Sequence, residues 1–136
     1  MIGQSCPDLG TRLCLRVSGL QDVVDRYLTQ TPVAHAIFRA AELQLQSGLE
    51  LERPVLEVGC GIGQVARFAL DEPADVGVDL SARRIRRARM RGGYLRLECC
   101  DARRLPFAAG EFGSALCISV LEHTREPAEI VAEMFR

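Results

Sequence analysis

The chain has no lysine; all 17 of its basic residues are arginine. This reads first as GC-rich codon usage, and it removes lysine as a Schiff-base or general-base candidate. Histidine is nearly as scarce, with only His35 and His123 present. The six cysteines (Cys6, Cys14, Cys60, Cys99, Cys100 and Cys117) form no C-x-x-C pair and two of them are adjacent, so no metal site is expected. No signal peptide precedes them. They read as free thiols in a reducing cytoplasm, with three of the last four in or beside strands as small buried hydrophobes. No apolar run approaches membrane-spanning length. A net charge of -1 across 136 residues gives no bulk attraction to nucleic acid. No Cys–His or Ser–His–Asp set stands out, so a covalent enzyme intermediate is not expected.

What is present is a hydrophobic content of 48% against 26% charged residues, enough for one domain with a modest core. The chain is organised around Val-Leu-Glu-Val-Gly-Cys-Gly-Ile-Gly at residues 55–63. Val55, Leu56 and Val58 fit a buried parallel strand, and residues 64–70 read as a helix. Between them Gly59, Gly61 and Gly63 provide a turn that brings a ligand against bare backbone. The dinucleotide-binding version of this turn needs a small residue where Gln64 stands.

Before this stretch, residues 1–19 read as irregular, with a short strand over 13–17. Leu20–Leu28 shows Leu20, Val23, Val24 and Tyr27 on one helical face. A clearer helix follows, capped by Thr31 with Pro32 in its first position, buried through Val33, Ile37, Ala40, Ala41 and Leu45, and stopped by Gly48. His35 on this helix reads as a surface or partly packed residue, with a substrate contact as its alternative reading. After the glycine turn, residues 75–81 form a second strand ending at Asp79, 20 residues beyond Gly59. An acid at that tip accepts hydrogen bonds from ribose hydroxyls. Its other reading, a cap for the next helix, suits Ser81 better. The helix Ala82–Arg91 buries Ala82, Ile85 and Ala88 and carries six arginines, which read as a solvated face because no aromatic residue interleaves with them. A third strand spans 94–98, a fourth spans 114–120, and a final helix turns Ile130, Val131, Met134 and Phe135 inward.

Three stretches together carry a resemblance. Glu57 with G-x-G-x-G, then Asp101-Ala102 followed by Leu-Pro-Phe and Phe112, then Leu121-Glu122-His123 resemble the class I S-adenosylmethionine-dependent methyltransferases. The chain departs from the family at Gly113, where an Asp usually follows the Phe that opens the fourth strand. The resemblance implies an α/β, Rossmann-like methyltransferase fold. Its parallel sheet would run in the order 3-2-1-4 with flanking helices, and the fold's C-terminal half would be missing. It implies residues 1–53 as an N-terminal helical or irregular segment and 54–136 as the first half of a cofactor-binding domain. The cofactor would be S-adenosyl-L-methionine, with Glu57 near its methionine end, Asp79 on ribose, and Asp101 with the Ala102 N–H on adenine. Gly59, Cys60, Gly61, Gly63, Leu80 and Ser119 would complete the cofactor site. Glu57 reads alternatively as a strand-end carboxylate bonded to nearby N–H groups. His123 would serve as general base, or else orient a loop or cap the last helix.

The implied activity is methyl transfer to a small-molecule acceptor by direct in-line displacement, without a metal. No Asn/Asp-Pro-Pro-aromatic signature of amino-methylating nucleic-acid enzymes follows the fourth strand, which argues against a nucleic-acid acceptor. An NAD(P)-dependent oxidoreductase and a non-catalytic cofactor-binding module are the competing readings. An end inside an amphipathic helix reads as truncation, which would make the fourth strand an exposed edge available for self-association.

Overall fold

The computed structural model describes residues 10–16, 20–29 and 31–136. The irregular reading of residues 1–9, the strand's extension to Val17, the thiol of Cys6 and the side chain of Leu20 lie outside the described residues. A short strand β1 (Arg12–Cys14) is followed by α1 (Leu20–Leu28), α2 (Val33–Gln46) and β2 (Glu50–Glu52). Then come β3 (Val55–Val58), α3 (Gln64–Phe68), β4 (Ala74–Asp79), α4 (Ala82–Arg91), β5 (Tyr94–Cys99), β6 (Ser114–Leu116), a 3-10 turn (Leu121–His123) and α5 (Pro127–Met134). The strands β5-β4-β3-β6 lie side by side in that order, with every pairing parallel. β1 and β2 form a separate antiparallel ribbon. β2 falls within the segment expected to be helical or irregular, because Glu-Leu-Glu offers only one apolar position to betray a strand.

Alternation along β3 divides the core in two. Val55 faces a cluster with Leu13, Val23, Tyr27, Ala36, Ala40 and Leu43, so the ribbon, α1 and α2 cover that side of the sheet. Leu56 and Val58 face Leu105, Phe107 and Ile130 on the other side, under the loop after β5 and α5. The core therefore runs unbroken across Pro54. Glu57 shares the side of Val55, is only 2% exposed, and accepts a 2.8 Å hydrogen bond from the Tyr94 hydroxyl on β5. That reach crosses β4 at Gly77, where a Cβ would lie 2.7 Å from the tyrosine ring. Burial pushes the Glu57 carboxyl up to about 7, with the Tyr94 bond pulling the other way.

Several local expectations differ from the structure. Thr31 does not cap α2; its hydroxyl donates to Tyr27 O at 3.1 Å, closing α1 instead. The buried stripe of α2 is Ala36, Ala40 and Leu43, while Val33, Ile37, Ala41 and Leu45 point outward. Alanines let this helix lie close against α1 and the sheet, and the bulkier residues take the opposite side. Ala82 and Phe135 are exposed, and of the four later cysteines only Cys60 is buried, with Cys99 exposed. The fourth strand stops at Leu116 rather than 120, because its partner β3 ends at Val58 and turns away through the glycines. Gly113 has a steric reason. A Cβ there would meet Glu52 O at 2.7 Å and Arg53 O at 2.9 Å, while its N–H donates to Pro54 O at 2.9 Å.

Two predictions follow from these contacts. Gly113→Asp, which installs the residue usual in the resembled family, is expected to cost about 1–3 kcal/mol of unfolding free energy, read by urea denaturation. Glu57 binds a proton more tightly folded than unfolded, so its stabilising contribution is full below about 4.5 and is lost as pH rises through about 7. The unfolding free energy of the wild type, read by urea denaturation at each pH, is expected to fall between about pH 5 and about pH 8 by on the order of 3 kcal/mol more than that of Glu57→Gln.

Candidate functional site

The carboxyl ends of the four parallel strands open on one cleft of about 770 Å³, the place where open α/β sheets bind ligands. At the end of β3 the backbone leaves the sheet through Gly59 and Gly61, both with positive φ. A Cβ on Gly59 would stand 2.2 Å from Val120 Cγ2, so the segment after β6 lies directly over it. Gly61 meets nothing closer than 3.9 Å and leaves its face of the turn open to the cleft. Gly63 begins α3 and is buried beneath Ala88 and Tyr94, away from the cleft lining.

Asp79 ends β4 and fastens this turn. Its carboxylate is 6% exposed and accepts from Gly61 N at 3.0 Å and from Ser81 N at 2.8 Å, with the Arg84 guanidinium 3.8 Å away. Cys60 N adds a 2.8 Å bond to Val78 O. Ser81 caps α4 through Arg84 N, the role expected of it. The Cys60 thiol lines the cleft but is protonated at neutral pH, since burial and then the neighbouring Glu57 and Asp79 carboxylates push its pKa far up. Leu80 is exposed at the cleft mouth.

Beyond β5, Asp101 is held by Arg103, whose Nη2 lies 2.7 Å from Oδ2 and whose backbone N lies 2.9 Å from Oδ1. The Arg103 side chain and then its backbone N–H hold the Asp101 carboxyl down to about 2, so it is ionised at any ordinary pH. Ala102 follows at the cleft wall. Ser119 adopts φ 52, the left-handed region unusual for a side-chain-bearing residue. Its hydroxyl donates to Glu42 on α2 at 2.8 Å, and Glu42 in turn pairs with Arg39 at 2.8 Å. His123 lines the cleft with its side chain 76% exposed, 3.9 Å from Glu122.

Thus Gly59, Cys60, Gly61, Asp79, Leu80, Asp101, Ala102, Ser119 and His123 share one cavity, while Glu57 and Gly63 lie behind it. The family resemblance allows helices before the glycine strand to help cover the site, but no motif singles out the residues of α2 that do so. His35 and Arg39 both line the cleft, which places His35 where its alternative reading as a substrate contact would need it. Arg83, Arg84 and Arg87 also turn to the cleft rather than forming only a solvated face, and Arg125 joins them. The one local signal for Arg39 is its spacing of three from Glu42, a helical ion-pair spacing. Among the described residues, no group of three His, Cys, Asp or Glu is arranged to hold a metal, and no helix is long and apolar enough to cross a membrane.

Comparison with known proteins bears on this cleft. Residues 56–136 match the family described as a methyltransferase domain. Over 90 residues the chain is 36% identical to a ubiquinone biosynthesis O-methyltransferase of Thiobacillus denitrificans, covering 62% of this chain and 39% of that protein. A solved SAM-dependent methyltransferase of Thermotoga maritima, described as a possible histamine N-methyltransferase, superposes with a TM-score of 0.55 at 21% identity. That alignment covers 86% of this chain and 45% of the other, and the likeness is one of fold. Magnesium protoporphyrin IX methyltransferase of Synechocystis PCC 6803, solved with bound SAH, aligns at a TM-score of 0.48 and 22% identity over 88% of this chain and 55% of its own. The chain spans less than half the length of the first two of these proteins, at 39% and 45%. The matched segment holds the glycine turn, both cleft aspartates and the stretch through His123, and this chain belongs to the methyltransferase domain family.

Proposed function

We infer that the cleft takes S-adenosylmethionine and directs its methyl group to a small-molecule acceptor. The observation that carries this reading is the convergence of Asp79, Asp101 and the open face of Gly61 on one cavity of about 770 Å³. That volume falls in the range of roughly 300–1,000 Å³ usual for cofactor and ligand pockets. The donor set fits the cofactor. A carboxylate has about four lone-pair sites; Asp79 uses one on Gly61 N and one on Ser81 N, which leaves capacity for ribose hydroxyls. Asp101, ionised and partly exposed, offers an acceptor for the adenine amino group beside the Ala102 backbone.

When bound, S-adenosylmethionine supplies a methyl group on a sulfonium, which transfers by direct displacement to a nucleophile in line. The chain's residues then act mainly by orientation and exclusion of water. Glu42 pins Ser119, and with it Val120 over Gly59, so α2 fixes the wall of the cleft beside the glycine turn. In this reading His123, exposed at the cleft, accepts the proton of an acceptor hydroxyl. The resemblance to an O-methyltransferase supports an oxygen acceptor. Glu57, bonded to Tyr94 behind the turn, supports the strand end from within the core.

Calorimetric titration with S-adenosylhomocysteine is expected to show saturable binding. Asp79→Asn and Asp101→Asn are each expected to weaken it tenfold or more, about 1.4 kcal/mol, while NADH gives no binding heat. A folded chain that ignores S-adenosylhomocysteine, or that takes NADH more tightly, would overturn the reading. The α2 contact is checked by a double-mutant cycle on the same titration. Glu42→Ala and Ser119→Ala are each expected to weaken binding about threefold or more, with a coupling of roughly 0.5–3 kcal/mol between them. Strict additivity would show that α2 merely lies near the cleft.

A further inference from the structure

The cleft carries a charge that the whole chain does not. Its lining holds six arginines against Asp79, Asp101 and Glu126, a net of +3 with both histidines neutral, on a chain whose net charge is -1. A concave site with low-dielectric walls focuses such a field and concentrates ligands of opposite sign. Three of these arginines have acidic partners. Arg103 bridges Asp101 and Glu126 at 2.7 and 3.3 Å, Arg39 pairs with Glu42 at 2.8 Å, and Arg84 stands 3.8 Å from Asp79. Arg83, Arg87 and Arg125 make no ion pair among the described residues. The methyl donor does not cancel this excess: its one carboxylate is balanced by its own ammonium, and its sulfonium adds a further positive charge.

Resting on the methyl-donor reading above, we propose that the acceptor is a small anion whose carboxylate or phosphate is held by Arg83, Arg87 and Arg125. Arg83 and Arg87 lie four residues apart on α4, hence on one face of the helix, and both line the cleft. Arg125 enters the same cleft from the segment between the 3-10 turn and α5. Guanidinium groups meet carboxylate and phosphate oxygens with paired N–H bonds, a geometry that ammonium groups do not offer. The arginines surround a concavity rather than a flat stripe, which favours a small ligand over a nucleic-acid backbone.

The test is calorimetry on the chain saturated with S-adenosylhomocysteine, titrated with benzoate, with phenyl phosphate, and with phenol as the neutral control. At least one anion is expected to bind saturably while phenol does not, and the preferred anion identifies carboxylate or phosphate as the group recognised. Arg83→Gln/Arg87→Gln/Arg125→Gln is expected to weaken that anion at least tenfold while changing S-adenosylhomocysteine affinity less than threefold. All three side chains are exposed, and unchanged far-UV circular dichroism checks the fold; Arg125→Gln alone repeats the measurement with the helix untouched. Wild type that binds S-adenosylhomocysteine but neither anion, or variants that bind the anion as well as wild type, would overturn the proposal and leave the donor reading intact. Anion binding without S-adenosylhomocysteine binding would uphold the anion site and sink the donor reading instead. Tighter binding of a single-stranded oligonucleotide than of either anion would overturn the proposal in favour of a nucleic-acid ligand.

Discussion

The carboxylate of Asp79 is the constraint on which the cleft depends. It receives Gly61 N from the turn after β3 and Ser81 N from the start of α4, so one buried charge ties two crossover connections together. A carboxylate this buried is costly unless its lone pairs are met by donors, and the backbone supplies them. The bond to Gly61 holds the turn open in a left-handed conformation that most residues resist, and Val120 then lies down on the hydrogen-only Cα of Gly59. Removing any of these three features would let the others relax: the acid loses its donors, the turn loses its anchor, or the covering segment loses its seat.

Around that fixed point the charged groups divide into two kinds. Glu57 is sealed beneath the sheet end, accepts a hydrogen bond from Tyr94, and has its pKa pushed up to about 7 because burial opposes its ionisation. Asp101 is the opposite case, a partly exposed carboxylate kept ionised by Arg103. Both would read the same way as acids flanking a glycine turn, and only their surroundings separate them. The same division runs through the thiols. Cys60 and Cys117 are buried or half-buried, and burial pushes both thiols above their usual range.

The helices before the glycine strand are part of this site and not a preface to it. Their apolar residues share a core with Val55 and Leu116, and α2 reaches the end of β6 through Glu42 and Ser119. Arg39 and His35 are thereby held at the cleft by a helix whose position is set by packing on the far side. This explains how a short chain can present a walled cavity. The sheet supplies the floor and the strand-end acids, and the preceding helices supply one side.

The parallel four-strand sheet was implied by the family resemblance, while the amino-acid sequence was sufficient for the strand, glycine turn and helix at 55–68 and for Asp79 at a strand end 20 residues on. These are local matters. Glycine at a left-handed position, β-branched residues in a short apolar run, and a serine before a helix each impose their conformation within a few residues. What the tertiary structure decided involves choices that local periodicity leaves balanced. α2 is apolar on two sides, one of alanines and one of larger residues, and only the closeness of α1 and the sheet selects the alanines for burial. β6 has apolar sequence to 120 but stops where its partner turns away. Ser119 and Glu42 are 77 residues apart, so their bond exists only after the chain has closed on itself. Polar pairing over such a distance leaves no periodic trace in the sequence, because it is fixed by how whole elements pack rather than by the conformation of any one of them.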